Sequence, residues 1–308
     1  MEPKDLMAHA GPVRESELER IRAVPALSAF VDTVENILAE GDEDAFWRCE
    51  PAFRALSTSG FERDLTGYEL GRMATVRGYI PPGSTSVKLT IVRRPEYRLL
   101  LILVRPNDVP EPKYSTMPEH RMMSVLGPGT VSAHLYVQPP GLRNEVFDPQ
   151  ARLVPNGTVK LGPGDMVKFR AGHDVIGASN CDAPAMTVLF VSDVRRSLLW
   201  EYDPATSLPT RALAAETGSS RLQYTARLLA AVGGNSSLPG LRRLLEHKDH
   251  FVRWTALRSI MALDPEEGTA RVREAVNDPH PHVRNAATRS LAKLAQMAAS
   301  PAVAAATE

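Results

Sequence analysis

The stretch Leu161-Gly-Pro-Gly-Asp-Met-Val-Lys-Phe-Arg-Ala-Gly-His173 decides how the middle of the chain folds. Pro163-Gly164-Asp165 reads as a reversal, because proline presets φ and glycine accepts the positive φ that a tight turn demands. Met166 to Phe169 then alternates more and less apolar side chains, the period of a half-buried strand. Ala171-Gly172 turns the chain again and delivers His173 to the start of the next strand. Beyond Asn180-Cys-Asp-Ala-Pro comes a further apolar strand, Ala185 to Val191. Turn, strand, turn, histidine, strand is a pattern by which a small β-barrel presents a side chain to its interior.

The residues before it follow the same pattern. Val87 to Val92 and Tyr97 to Val104 are β-branched and apolar, joined by the turn Arg93-Arg94-Pro95-Glu96. The unbroken apolarity of the second marks a central strand covered on both faces. Residues 107–113 read as a loop. His120 to Leu126, Val131 to Val137 and Val154 to Leu161 add short strands with glycine and proline between them, as in a barrel or sandwich.

Between about residues 85 and 195 this pattern resembles the cupins, small double-stranded β-helix barrels. Gly164-Asp165 and Ala171-Gly172-His173 resemble the second cupin motif, although strict spacing would put its ligand on Val175 and Arg170 stands at its proline. Val125-Leu-Gly-Pro-Gly129 resembles the strand-turn that closes the first motif. Cupins hold a divalent metal with three histidines and a glutamate. Counting back from Gly127 places His120 at the glutamate position, while the His-x-His position, Lys113 to Thr116, carries no histidine. The resemblance therefore implies at most His120 and His173 as ligands, with His134 on the next strand as a third. Three imidazoles would suit Fe, Ni or Zn. Glu119 and Glu111 are further candidate ligands, and Tyr114 and Tyr136 are candidates to line a pocket.

Helical periodicity brackets the barrel. Leu18, Ile21, Val24, Leu27, Phe30, Val31, Val34, Ile37 and Leu38 fall on one face up to Gly41, and a second helix starts near Asp42 or Asp44 and runs through Phe46, Trp47, Phe53 and Leu56. After Ser220 the composition turns alanine-rich. Phe251 to Leu263 matches His282 to Leu294: Val252, Arg253, Ala256, Arg258, Ser259 and Leu263 recur as Val283, Arg284, Ala287, Arg289, Ser290 and Leu294, an offset of 283 − 252 = 31 residues. Helix-turn-helix units of this length bury their apolar face only against a neighbour. Asp278-Pro-His-Pro-His-Val-Arg284 resembles the turn of the HEAT repeats, and His247-Lys-Asp-His-Phe-Val-Arg253 departs from it in lacking the proline. That resemblance implies a protein partner.

The expected organisation is an α+β multidomain chain. Residues 1–12 are a disordered start, 13–72 a helical cap, 73–203 the cupin-like barrel, 204–220 a linker, 221–297 HEAT-like repeats and 298–308 a disordered tail. Lys+Arg and Asp+Glu number 36 each, so no net field recruits nucleic acid or an anionic membrane. Arg253, Arg258, Arg284 and Arg289 remain as a local interaction surface. Cys49 and Cys181 fall in different domains, which favours free thiols in a reducing compartment. No signal peptide and no spanning apolar run is seen, so a cytoplasmic place is expected. Walker-type glycine loops and Gly-x-Ser-x-Gly elbows are missing, and Cys181 has no evident base partner. Two functions stay open: a non-catalytic module with a small ligand or scaffold barrel and partner-docking repeats, or a mononuclear metal dioxygenase with a recruitment domain.

Overall fold

The structure is a computed structural model; it describes residues 15–42, 44–106 and 114–299. The expected disordered start, the loop at 107–113 with Glu111, and most of the expected tail lie outside these residues. The chain divides into two compact units, residues 1–213 and 214–308.

The first unit opens with helices α1 (residues 15–23), α2 (Pro25–Leu38), α3 (Ala45–Arg48), α4 (Glu50–Thr58) and α5 (Phe61–Thr75). The second expected helix is thus two. Pro51 in the first turn of α4 cannot continue an incoming helix but fits its start. Helix α5 was not foreseen in the sequence, and it extends past the expected cap boundary at residue 72.

Among the described residues eleven strands follow: β1 (Lys88–Arg93), β2 (Tyr97–Val104), β3 (Tyr114–Thr116), β4 (Glu119–Val125), β5 (Val131–Val137), β6 (Val154–Leu161), β7 (Met166–Phe169), β8 (Asp174–Cys181), β9 (Ala185–Val194), β10 (Leu198–Tyr202) and β11 (Pro209–Ala214). They form two sheets in the orders β1-β2-β9-β4-β7 and β11-β10-β3-β8-β5-β6. Within these, the chain from β2 to β9 changes sheet at every connection except β5 to β6, and the strand order is β2-β9-β4-β7 against β3-β8-β5-β6. This is the antiparallel double-sheet arrangement of the jelly rolls to which cupins belong, so the barrel is cupin-like. The expected linker at 204–220 is largely structured. Arg211 pairs with Glu201 at 2.6 Å and the Thr210 hydroxyl donates to the Glu201 carbonyl, which adds β11 to the sheet as an edge strand.

The turn at Pro163-Gly164-Asp165 forms as expected, with Gly164 at φ +85°, where a Cβ is disfavoured. Each face of the β2-β9-β4-β7 sheet has its own core. Leu99, Leu101, Met122, Val188 and Phe190 face the helices and pack with Phe30, Phe46, Phe53 and Leu65. Phe190 is central there, with ring centroids 4.7 Å from Phe46 and 5.4 Å from Phe30. On the opposite face Met123, Val125 and Val167 meet Val131, Val159, Leu161 and Cys181 of the other sheet. Buried Arg20 ties the cap down, pairing with Glu69 of α5 and donating to the Thr90 carbonyl of β1.

The second unit contains α6 (Thr217–Val232), a 3-10 turn (Asn235–Ser237), α7 (Leu238–Leu244), α8 (His250–Leu263), α9 (Pro265–Ala275) and α10 (Pro281–Ala299). The last helix runs two residues into the expected tail. Asp264 caps α9 by accepting from the Glu267 N–H at 3.0 Å, with Pro265 in the first turn. Val252, Ala256, Val283 and Ala287 are buried as the 31-residue match requires, with Leu241, Ile260 and Val272 beside them. Leu263 and Leu294, expected in the same core, are only half-buried. Among the described residues, no helix is long and apolar enough to cross a membrane.

Candidate functional site

His120 lies on β4 beside a bulge: the pairing with β9 shifts register between Glu119 and Arg121. The extra residue lies on β9, so β4 keeps its alternation and His120 shares the face of Met122. The imidazole is thereby on the helix side, 4.8 Å from the Trp47 ring and 5.9 Å from Phe46. Its Nδ1 accepts from the Ala171 N–H at 3.0 Å. Burial pushes its pKa down to about 4, reinforced by Arg195, Arg196 and Arg170 and opposed by Asp174. A neutral ring with Nδ1 occupied by a backbone donor and packed beside Phe46 and Trp47 is a packing group.

The other two histidines are exposed. His173 sits in the turn before β8, its Nδ1 2.8 Å from Asp174. His134 on β5 meets the Thr158 hydroxyl of β6 through Nδ1 at 3.1 Å. The expectation that His120 and His173 face one barrel interior is corrected, because His120 shares the helix-facing side of β4 with Met122 while His173 is exposed in the turn before β8. Among the described residues, no three His, Cys, Asp or Glu side chains are placed to hold a metal ion. The donor set therefore does not fit the metal of the cupins.

The inward face of the helix-backed sheet carries charge that sequence reading missed. Arg98, Val191, Arg121 and Phe169 pair across the strands in one row, on the face shared with Met123 and Val125. Glu119 bridges the two arginines, accepting from Arg98 Nη2 at 2.7 Å and Arg121 Nη2 at 3.0 Å. Its side chain is 10% exposed, against 37% for Arg98 and 30% for Arg121. Glu119, a candidate metal ligand, is thus committed to guanidiniums. Two cations against one carboxylate leave a positive charge that partly reaches solvent. A charge within the apolar run Tyr97 to Val104 was the available signal, since an arginine inside a covered strand needs a partner.

Tyr114 and Tyr136 do come together, with ring centroids 5.1 Å apart, and hydrogen bonding between them raises the Tyr136 pKa. They close over Gly177, where a Cβ would lie 2.7 Å from the Tyr136 ring. Both cysteines are buried thiols outside any disulfide, and burial pushes the Cys49 thiol up to about 11, away from nucleophilic use.

In the second unit the four candidate arginines separate into two kinds. Arg253 binds Asp278 through two hydrogen bonds and donates to the carbonyls of His247 and Lys248. Arg284 donates to the carbonyls of Asp278 and Pro279, the same pattern 31 residues on. These two hold the turns together, so their place in the expected interaction surface is corrected. Arg258 and Arg289 are exposed. His247 explains how the first repeat manages without the proline turn. Its Nδ1 accepts from the Asp249 N–H at 3.0 Å, as the Asp278 carboxylate accepts from the His280 N–H at 2.7 Å.

Comparison with known proteins agrees with the second unit: the family model of the HEAT repeats matches residues 212–292. No curated protein matches the chain. Solved structures similar to it include hydroquinone 1,2-dioxygenase from Sphingomonas sp. TTNP3 with 4-hydroxybenzoate bound, 11% identical over 37% of this chain and 69% of that one, with a TM-score of 0.26. A cupin-2 domain containing protein from Shewanella frigidimarina is 10% identical over 35% and 80%, TM-score 0.23. A cupin superfamily protein from Desulfitobacterium hafniense is 9% identical over 38% and 92%, TM-score 0.24. The DMSP lyase structure is matched over 38% of its length at a TM-score of 0.20. The barrel's assignment rests on its own strand order.

Proposed function

We propose that the chain is a non-catalytic protein of two modules, a cupin-like barrel that holds a small anionic ligand and HEAT-like repeats that dock a protein partner. The observation that carries the barrel's part is the inward row of Arg98, Glu119 and Arg121. Two half-exposed guanidiniums sharing one carboxylate retain donors for a further carboxylate or phosphate, and Arg suits such groups through its planar fork. A polar group of this kind in an otherwise apolar interior fixes a ligand's orientation, which is how small-molecule sites achieve specificity. Tyr114 and Tyr136 are assigned to the same ligand's surroundings.

The test is a thermal-shift titration of the full chain with small carboxylates and phosphates, beside an Arg98→Gln/Arg121→Gln variant. Stabilisation of the wild type that is lost in the variant supports the reading. No shift with any anion, or an equal shift in both proteins, overturns it.

For the repeats, exposed Arg289 lies clear of the turn-capping arginines, which supports a free docking face. A photo-reactive amino acid at position 289 should cross-link the full chain to another protein in cells, whereas one at Arg211 of the barrel should not. Equal yields at the two positions would count against docking through the repeats.

A further inference from the structure

Helices α8 and α10 present matching faces to a groove of about 310 Å³. From α8 come Trp254, Leu257, Arg258 and Met261, and from α10 come Ser290, Lys293, Leu294 and Met297, each set at the i, i+3, i+4, i+7 spacing of a single helical face. Val272 of α9 closes the floor. The lining is apolar apart from Ser290 and two cations, Arg258 and Lys293. Neither helix contains an aspartate or glutamate anywhere along its length. Among the described residues, the carboxylates of this unit lie on α9 and in the turns and helix starts, where Glu267 is held by Arg242 and Asp278 by Arg253. The lining is mainly apolar, and its charged side chains are both cationic.

Resting on the reading of the repeats as a docking module, we infer that this groove takes an amphipathic helical segment of a protein partner, with its apolar face on Trp254, Leu257, Met261 and Leu294 and acidic side chains facing Arg258 and Lys293. The volume is at the lower end of the ~300–1,000 Å³ typical of organic ligand sites, enough for a few apolar anchors and not for a whole helix, as in helix-in-groove recognition. Arg258 and Lys293 add orientation and exclude basic partners. An apolar floor is poor for nucleic acid, whose backbone contacts need charge and polar groups.

The experiment is selection of helix-forming peptides from a phage-displayed library on the full chain, with affinities measured on wild type, on Arg258→Glu/Lys293→Glu and on Arg243→Glu as a control outside the groove. The expected result is peptides with apolar residues at i, i+3, i+4 and i+7 flanked by Asp or Glu. They should bind the double variant on the order of ten-fold or more weakly and the control variant unchanged. All three positions are exposed, so folding is not at stake. Selected peptides without acidic bias, or with equal affinity for the double variant, overturn the groove inference while docking elsewhere on the repeats stands. An empty selection overturns it too, with the cross-linking at position 289 deciding the docking reading separately. Salt-sensitive binding of an oligonucleotide that the double variant loses, or a dimer of the chain that it disperses, would replace the inference with those occupants.

Discussion

Arg253 of α8 grips Asp278 in the turn of the following repeat, Nε to Oδ2 at 2.9 Å and Nη2 to Oδ1 at 2.6 Å, while its Nη1 holds the carbonyls of its own turn. Both side chains are nearly buried, 14% and 11% exposed. Burial alone would raise the Asp278 carboxyl, but Arg253 and the His280 N–H reverse this and hold it below its ordinary value. One side chain thus links two repeats, which is the nearest-neighbour coupling that solenoids depend on.

Arg253→Ala leaves the Asp278 carboxylate poorly compensated and should cost about 3 kcal/mol, as for other largely buried pairs. Arg284→Ala removes only bonds to carbonyls and should cost about 1–2 kcal/mol. Urea unfolding of the repeats, followed by hydrogen exchange in α8 and α10, measures both. Equal costs would remove the assigned inter-repeat role.

These elements differ in how far the sequence disclosed them. The 31-residue match carried its structure openly, because a repeat buries the same positions each time, as Val252 and Val283 do. Strands β2, β5, β6 and β7 have the bounds their periodicity implied, since apolar runs and Gly/Pro turns act locally. Facing is less legible. His120 alternates with Met122 onto the helix-covered side of β4, and which side of a strand the helices cover is a tertiary fact that no local pattern states. The Arg98–Glu119–Arg121 row is assembled from residues 21 and 23 positions apart (119 − 98 and 121 − 98), brought together by β9 between them. Leu263 reads as core by its apolarity yet is half-buried, because it ends its helix.

His120→Ala should destabilise the first unit despite its lack of a metal role. The substitution deletes a ring against Phe46 and Trp47 and the acceptor for the Ala171 N–H. Aromatic contact and a lost hydrogen bond together are worth ~1–3 kcal/mol. A denaturation midpoint unchanged from wild type would show that the ring is not part of the packing.

Gly177→Ala would place a methyl 2.7 Å from Tyr136 and 3.1 Å from Tyr114. The rings must separate or the strand must shift, a clash of the overpacking kind that costs ~1–3 kcal/mol. Tyr136→Ala in the same chain should relieve it, so the double variant should be more stable than the sum of the two single changes implies. Strict additivity of the two would show that the rings do not rest on Gly177.

Ile260→Asp should abolish the fold of the repeats, whereas Leu263→Asp should weaken it less. Ile260 is fully buried against Ala226, Leu238 and Leu241, and an unpaired carboxylate there has no solvent. A cost above about 4 kcal/mol belongs to that kind of change. Half-buried Leu263 leaves its replacement a path to water. Circular dichroism melts of the two variants should rank in that order, and the reverse ranking would misplace the core of α8.

Acid should loosen the repeats through His250. Its ring lies face to face with His280, 3.5 Å apart and within 1° of parallel, with His282 6.0 Å away. Burial pushes the His250 pKa down to about 3, His280, His282 and Arg253 add to this, and Asp278 opposes it. The unfolded chain titrates this imidazole near its ordinary 6.5. Between about 3 and 6.5 the unfolded state therefore binds a proton that the folded state does not, so stability rises with pH across that window and is lost as pH falls through it. Taking the protein from about pH 7 to about pH 4 should lower the unfolding free energy of the repeats progressively, with no contribution from this residue above about pH 7. His250→Phe keeps an aromatic ring on His280 and removes the proton site, so its pH profile should be flatter over the same range. Hydrogen exchange in α8, corrected for the intrinsic rate at each pH, reads the difference, and parallel profiles in the two proteins would assign the acid sensitivity to other groups.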